Sequence, residues 1–228
     1  MPARKKEKES EPSLTDRVDD AIGSGTLAKA GARHYRAIAK TLDGYETMVD
    51  GYTRDLTDAL GSKFKNPADL YLAILKHIAA REEIKDADKI ASINDISEPD
   101  LDKIRHHLTI NYGIPNETDL KKLLDTAAGG NYETEEEVKE AIRSLAHRKG
   151  QHEISQRAAA WTSDKEWAAH AGPGGTHHEF MQLVTDFYSP PGAPKEVDTF
   201  KRPEEATGYI GNIAQQAYQE KKAARRKV

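Results

Sequence analysis

Five of the nine histidines, His147, His152, His170, His177 and His178, fall within 32 residues, with Glu153 and Glu179 beside them. Imidazole and carboxylate are the usual ligands of zinc and iron, so this stretch is the first place to look for chemistry. Its spacing is wrong for a local site. No pair stands at the i, i+4 separation that places two imidazoles on one helix face, and adjacent His177 and His178 point about 100° apart on a helix. His147 and His152 are five apart and straddle Gly150, a residue that reads as a helix stop. The Glu-x-x-His signature of carboxylate-bridged bundles is missing. The histidines are therefore expected to be solvated or capping residues, with no metal, no cofactor and no catalytic residue; a metal-dependent enzyme using the His147–His178 cluster ranks third among functions.

Residues 171–178 (AGPGGTHH) form a glycine-rich run leading into a helix start, where free amides could hold an anion. The run lacks the Gly-Lys-Ser/Thr ending of a phosphate loop, and a hinge between short helices is the simpler reading. No nucleophile elbow, dinucleotide fingerprint, kinase motif or calcium loop occurs. The acidic pair Glu82-Glu83 and the run Glu135–Glu137 sit in or beside terminal helical turns, serving dipoles and solubility. At the other end, Lys221, Lys222, Arg225, Arg226 and Lys227 could touch nucleic-acid phosphates, or could complement the C-terminal dipole of the last helix.

The elements that would carry these residues are helical. Ala28, Gly31, Tyr35, Ile38, Leu42, Tyr45, Val49, Tyr52, Leu56 and Ala59 recur at alternating spacings of three and four, a heptad seam without a skip. It predicts one long helix over about 26–61. Gly23-Ser24-Gly25 separates it from a first short helix that Ser13 and Asp16 cap and Leu14, Val18 and Ile22 stripe. Asn66-Pro67-Ala68-Asp69 opens the most apolar helix, about 67–84, and a short helical stretch is expected around 88–96. From 97 the helices shorten. Ser97/Asp100, Asn116/Asp119, Thr134/Glu137, Ser163/Glu166 and Thr176/Glu179 all stand in capping relation, with stops at Gly113, Gly129-Gly130 and Gly150. No period-two run appears, so the fold class is all-α.

The organisation follows: a charged tail over 1–12, an N-terminal helical region over 13–96, short helices over 97–188, a proline-rich linker over 189–202, and a last helix with basic tail over 203–228. Leu, Ile, Val and Phe supply 40 of 228 residues, a thin core. The net charge of −4 is unevenly spread: residues 82–140 hold 16 acidic and 7 basic groups, whereas both flanks are slightly basic. There are no cysteines, which excludes disulfide scaffolds and thiolate metal sites. No apolar run is long enough for a membrane span, and a cytoplasmic protein, or one in a particle assembled in the cytoplasm, is expected.

The function expected from all this is non-enzymatic: a structural subunit packing into a larger assembly, such as a tailed-phage virion or another nucleic-acid-containing particle. Its partners are proteins, copies of itself included. The expected interface is Tyr35, Ile38, Leu42, Tyr45, Val49, Tyr52 and Leu56 on the seam, with Tyr209, Ile210 and Ile213 on the last helix. The alternative is a small nucleic-acid-binding or regulatory protein acting through its basic C-terminal tail.

Overall fold

The computed structural model describes residues 12–128, 130–159, 175–188, 208–213 and 216. Among them every regular element is a helix, and the chain is all-α. None of these helices is long and apolar enough to cross a membrane. The chain divides into two compact units, with boundaries at Asp43/Gly44, Gln156/Arg157 and Ile213/Ala214.

The first unit takes its described residues from two separate stretches of the chain, before Gly44 and between Arg157 and Ile213. Helix α1 (Leu14–Ser24) buries Leu14, Val18 and Ile22, and ends where Gly25 turns left-handed at φ 83°. The start of α1 is capped twice. The Ser13 hydroxyl accepts from the Asp16 amide at 3.1 Å. The Asp43 carboxylate accepts from the amides of Leu14 (3.0 Å) and Thr15 (2.9 Å) and from the Thr15 hydroxyl (2.6 Å). Three orphan amides of the first turn are thereby satisfied, one of them by the expected capping box and two by a residue 28 to 29 positions away. Asp43 is the last residue of α2 (Ala32–Asp43), which packs on α1 and buries Tyr35, Ile38, Ala39 and Leu42. Helix α8 (Thr176–Tyr188) closes the unit with Phe180, Met181 and Val184 buried, and Arg17 of α1 lies over the Phe187 ring at 5.1 Å.

The second unit holds α3 (Tyr45–Leu60), α4 (Pro67–Arg81), α5 (Glu98–Tyr112), α6 (Glu117–Ala128) and most of α7 (Glu135–Ala159). Its centre is α4, whose Leu70, Ile74, Leu75, Ile78 and Ala79 are all at most 1% exposed. Asn66 caps α4 and Pro67 occupies its first position, as the sequence indicates. Ser97, Asn116 and Thr134 likewise cap α5, α6 and α7. Arg105 of α5 grips Glu117 at the start of α6 with two bonds, 3.0 and 3.1 Å, and reaches Glu98 and Asp102 as well.

Four local expectations change. The segment over 26–61 is not one helix: Lys29–Gly31 is a short 3-10 turn, α2 follows, and Gly44 (φ −89°, ψ 1°) stands outside the α region between α2 and α3. Glycine is the least costly residue at which to leave the helix, and its carbonyl accepts the first bond of α3 from Met48. Gly150 behaves in the opposite way, since α7 continues through it for nine more residues. The reason is packing: a Cβ there would lie 2.9 Å from the Tyr45 ring. Helix α4 ends at Arg81 instead of 84, and the stretch around 88–96 holds two 3-10 turns, Ala87–Lys89 and Ile93–Asp95. Ser163/Glu166 and the 189–202 linker lie outside the described residues.

Candidate functional site

The seam tyrosines and the histidine stretch find each other. In the first unit the Tyr35 hydroxyl lies 3.3 Å from His177 Nδ1, and the Tyr35 ring stacks on Phe180 with centroids 4.8 Å apart. Burial pushes the Tyr35 phenol up to about 12, a hydrogen bond with Thr176 opposing the shift. In the second unit the Tyr45 hydroxyl lies 3.1 Å from His147 Nδ1, and one turn pair further on the Tyr52 hydroxyl donates to Glu153 at 2.5 Å. A hydroxyl carried into a core needs such a partner, and each seam tyrosine has one.

These pairs place the histidines apart. His147 and His177 are buried in different units, and His152 caps α5: its Nε2 is 3.2 Å from the Ile110 carbonyl, beside the Arg148 bond to the Gly113 carbonyl at 2.8 Å. Burial and the neighbouring Arg148 lower the His152 imidazole, with the Ile110 carbonyl acting against them. Among the described residues no three histidines or carboxylates gather as metal ligands. His170 and residues 171–174 of the glycine-rich run lie outside the described residues, as do Lys221, Lys222, Arg225, Arg226 and Lys227.

The residues expected at an interface are placed as follows. Tyr35, Ile38, Leu42, Tyr45, Val49 and Leu56 are 0–7% exposed within the single chain, and Tyr52 is half-buried. From the last helix, Ile210 and Ile213 are buried, and the Tyr209 hydroxyl is 3.0 Å from the Thr185 hydroxyl of α8. All these apolar side chains are therefore covered by the chain's own residues. Among the described residues Ile110 is the one large apolar side chain that stands exposed.

A cavity of about 180 Å³ opens in the second unit among α3, α4, α5 and α7. Tyr52, Asp55, Leu56 and Ala59 line it from α3, His77 and Arg81 from α4, His107, Asn111 and Tyr112 from α5, and Lys149 from α7. The Lys149 ammonium sits 4.1 Å from the Tyr52 ring centre and 5.9 Å from that of Tyr112. His107 Nδ1 is 2.7 Å from the Glu82 carboxylate. Burial, then Arg81, then His107 hold the His77 imidazole below its ordinary value. No family model matches this chain, and neither the curated proteins nor the solved structures hold a significant match to it. None of the cavity residues except the seam positions Tyr52, Leu56 and Ala59 stood out in the sequence. A local signal was there: His77/Arg81, His107/Asn111 and Asp55/Ala59 are i, i+4 pairs, each putting two lining groups on one helix face.

Proposed function

We propose that the chain is a non-enzymatic structural subunit that works by packing with copies of itself in a larger assembly, of which a virion or another nucleic-acid-containing particle is one setting. What supports this reading is where the chemically capable groups have gone. His147 and His177 are buried against Tyr45 and Tyr35 in separate units, as packing partners of the seam and not as a converging site.

The contacts between copies are then polar. Tyr35, Ile38, Leu42, Tyr45, Val49 and Leu56 of the seam and Ile210 and Ile213 of the last helix are buried inside the chain, so the charged faces carry association. Residues 82–140 have nine more acidic than basic groups, against small basic excesses before and after them. Opposite-sign segments on different copies attract, and salt weakens such contacts between exposed charges. Sedimentation of the full chain tests this. The expected result is a species heavier than the 25.3 kDa chain at low salt that shifts toward the monomer as salt is raised. A monomer at every concentration and salt level removes the proposal.

A further inference from the structure

The cavity among α3, α4, α5 and α7 has an unbalanced lining. Arg81 and Lys149 both face it, and among the described residues neither makes an ion pair or a hydrogen bond; Lys149 contacts two aromatic rings instead. Two carboxylates that bond lining residues are already engaged, Glu82 by His107 and Glu153 by the Tyr52 hydroxyl. Asp55 is the one carboxylate in the lining, and it is exposed. Around the two cations stand the His77 imidazole and the Tyr112 hydroxyl as further donors, with His107 and Asn111 beside them already bonded, His107 to Glu82 and the Asn111 amide to the His107 carbonyl. At about 180 Å³ the space is far above the ~10–15 Å³ that admits one water.

Lys149 is half-buried, whereas Arg81 reaches the hollow from an exposed position; for the ammonium among the rings a counter-charge offsets the desolvation that penalises an isolated charge. Guanidinium and ammonium groups with neutral donors around one hollow match an anion with several oxygens, each oxygen accepting its own bond. The walls add a second feature. Tyr52, Leu56, Ala59 and Tyr112 present rings and methyl groups beside the charged floor, room for a small organic part next to the anionic head.

We infer that this cavity is a binding site for a small phosphate-type dianion, with Arg81 and Lys149 as its charge partners. The site is independent of the packing role: it lies within one unit and requires no second copy.

Titration of the full chain with inorganic phosphate, sulfate and phenyl phosphate at constant ionic strength, followed by amide NMR, tests the inference. Saturable shifts are expected at Tyr52, His77, Arg81, His107, Tyr112 and Lys149. Stronger binding of phenyl phosphate than of inorganic phosphate assigns the site to a phosphomonoester; equal binding assigns it to the free anion. Lys149→Met and Arg81→Met, which keep the apolar stems, should each weaken binding about tenfold or more. Asp55→Asn removes the one repelling carboxylate and should tighten binding, a gain that misfolding does not imitate. Lys122→Met, at an exposed lysine of α6, should leave affinity unchanged. Non-saturable shifts, or binding that responds equally to Lys122→Met and Lys149→Met, would show diffuse counter-ion attraction and overturn the site.

Discussion

Two glycines within the second unit permit a paired experiment on the α3–α7 crossing. Gly51 lies inside α3 and a Cβ built there meets nothing within 4 Å. Gly150 lies inside α7, and its Cβ would meet Tyr45 Cε2 at 2.9 Å, Met48 Cε at 3.2 Å and Val49 Cγ2 at 3.4 Å. Alanine gains about 1 kcal/mol over glycine in a helix interior, so Gly51→Ala should stabilise by roughly that amount. Gly150→Ala starts with the same gain and then meets the clash. The Met48 methyl can swing aside, but the Tyr45 ring is 3% exposed and its hydroxyl is held by His147, on the same helix as Gly150. Relief therefore requires α3 and α7 to move apart, and overpacking of this kind costs about 1–3 kcal/mol. The net effect of Gly150→Ala is a loss of up to ~2 kcal/mol, and the two variants should differ by about 1–3 kcal/mol. Urea unfolding followed by far-UV circular dichroism resolves such a gap as displaced midpoints at unchanged slope. If Gly150→Ala stabilises as much as Gly51→Ala, the close approach of the two helices is wrong.

Three further outcomes are expected. Leu75→Ala, at a fully buried position of α4, should cost about 2–5 kcal/mol in urea unfolding, and a loss under ~1 kcal/mol would mean that α4 is peripheral. Asp43→Ala removes the long-range cap of α1 and should cost about 0.5–2 kcal/mol, with hydrogen exchange accelerated at the Leu14 and Thr15 amides; unchanged exchange would deny the cap. Acid should destabilise in two stages. His77 and His152 are lowered from 6.5 when folded, so the unfolded chain binds their protons first and stability falls as pH drops through and below 6.5. The second stage comes from capping and paired carboxylates: Asp16, Asp95, Asp100 and Glu117 are lowered from 3.8 or 4.5, and their contribution disappears as pH falls through the folded values. Midpoints measured from pH 8 to 3 should show both stages, and His77→Gln should flatten only the first.

The helices were legible because their starts are chemical. Ser13, Asn66, Ser97, Asn116 and Thr134 each accept the bond that their side chain advertises, and a capping pair three residues apart needs no knowledge of the rest of the fold. Glycine was less readable. Gly44 and Gly150 carry the same local penalty, yet one interrupts the helical path and the other admits a tyrosine ring, and only the neighbour that arrives from elsewhere decides which. The seam's central positions from Tyr35 to Val49 are buried, its end positions Ala28 and Ala59 are exposed, and the periodicity said nothing of what buries the rest, since Tyr45 and His147 are 102 residues apart and Tyr35 and His177 are 142. The cavity was hidden for a related reason: four helices each contribute one to four lining residues between 52 and 149, and no contiguous motif records that convergence.

The first unit is discontinuous, with α1 and α2 on one side of the inserted Gly44–Gln156 and α8 on the other. During synthesis the ribosome delivers α1 and α2 long before Phe180, the ring on which Tyr35 stacks. At about 5–20 residues per second the wait is on the order of ten seconds, ample time for the inserted unit to fold first. Through that interval α1 and α2 pack on each other without α8, with Asp43 clasping the start of α1, to shield Leu14, Val18, Tyr35 and Ile38. The nascent chain thus carries a half-finished hydrophobic surface on α1 and α2, and a pause in translation before Phe180 would prolong its exposure to chaperones and to other nascent copies.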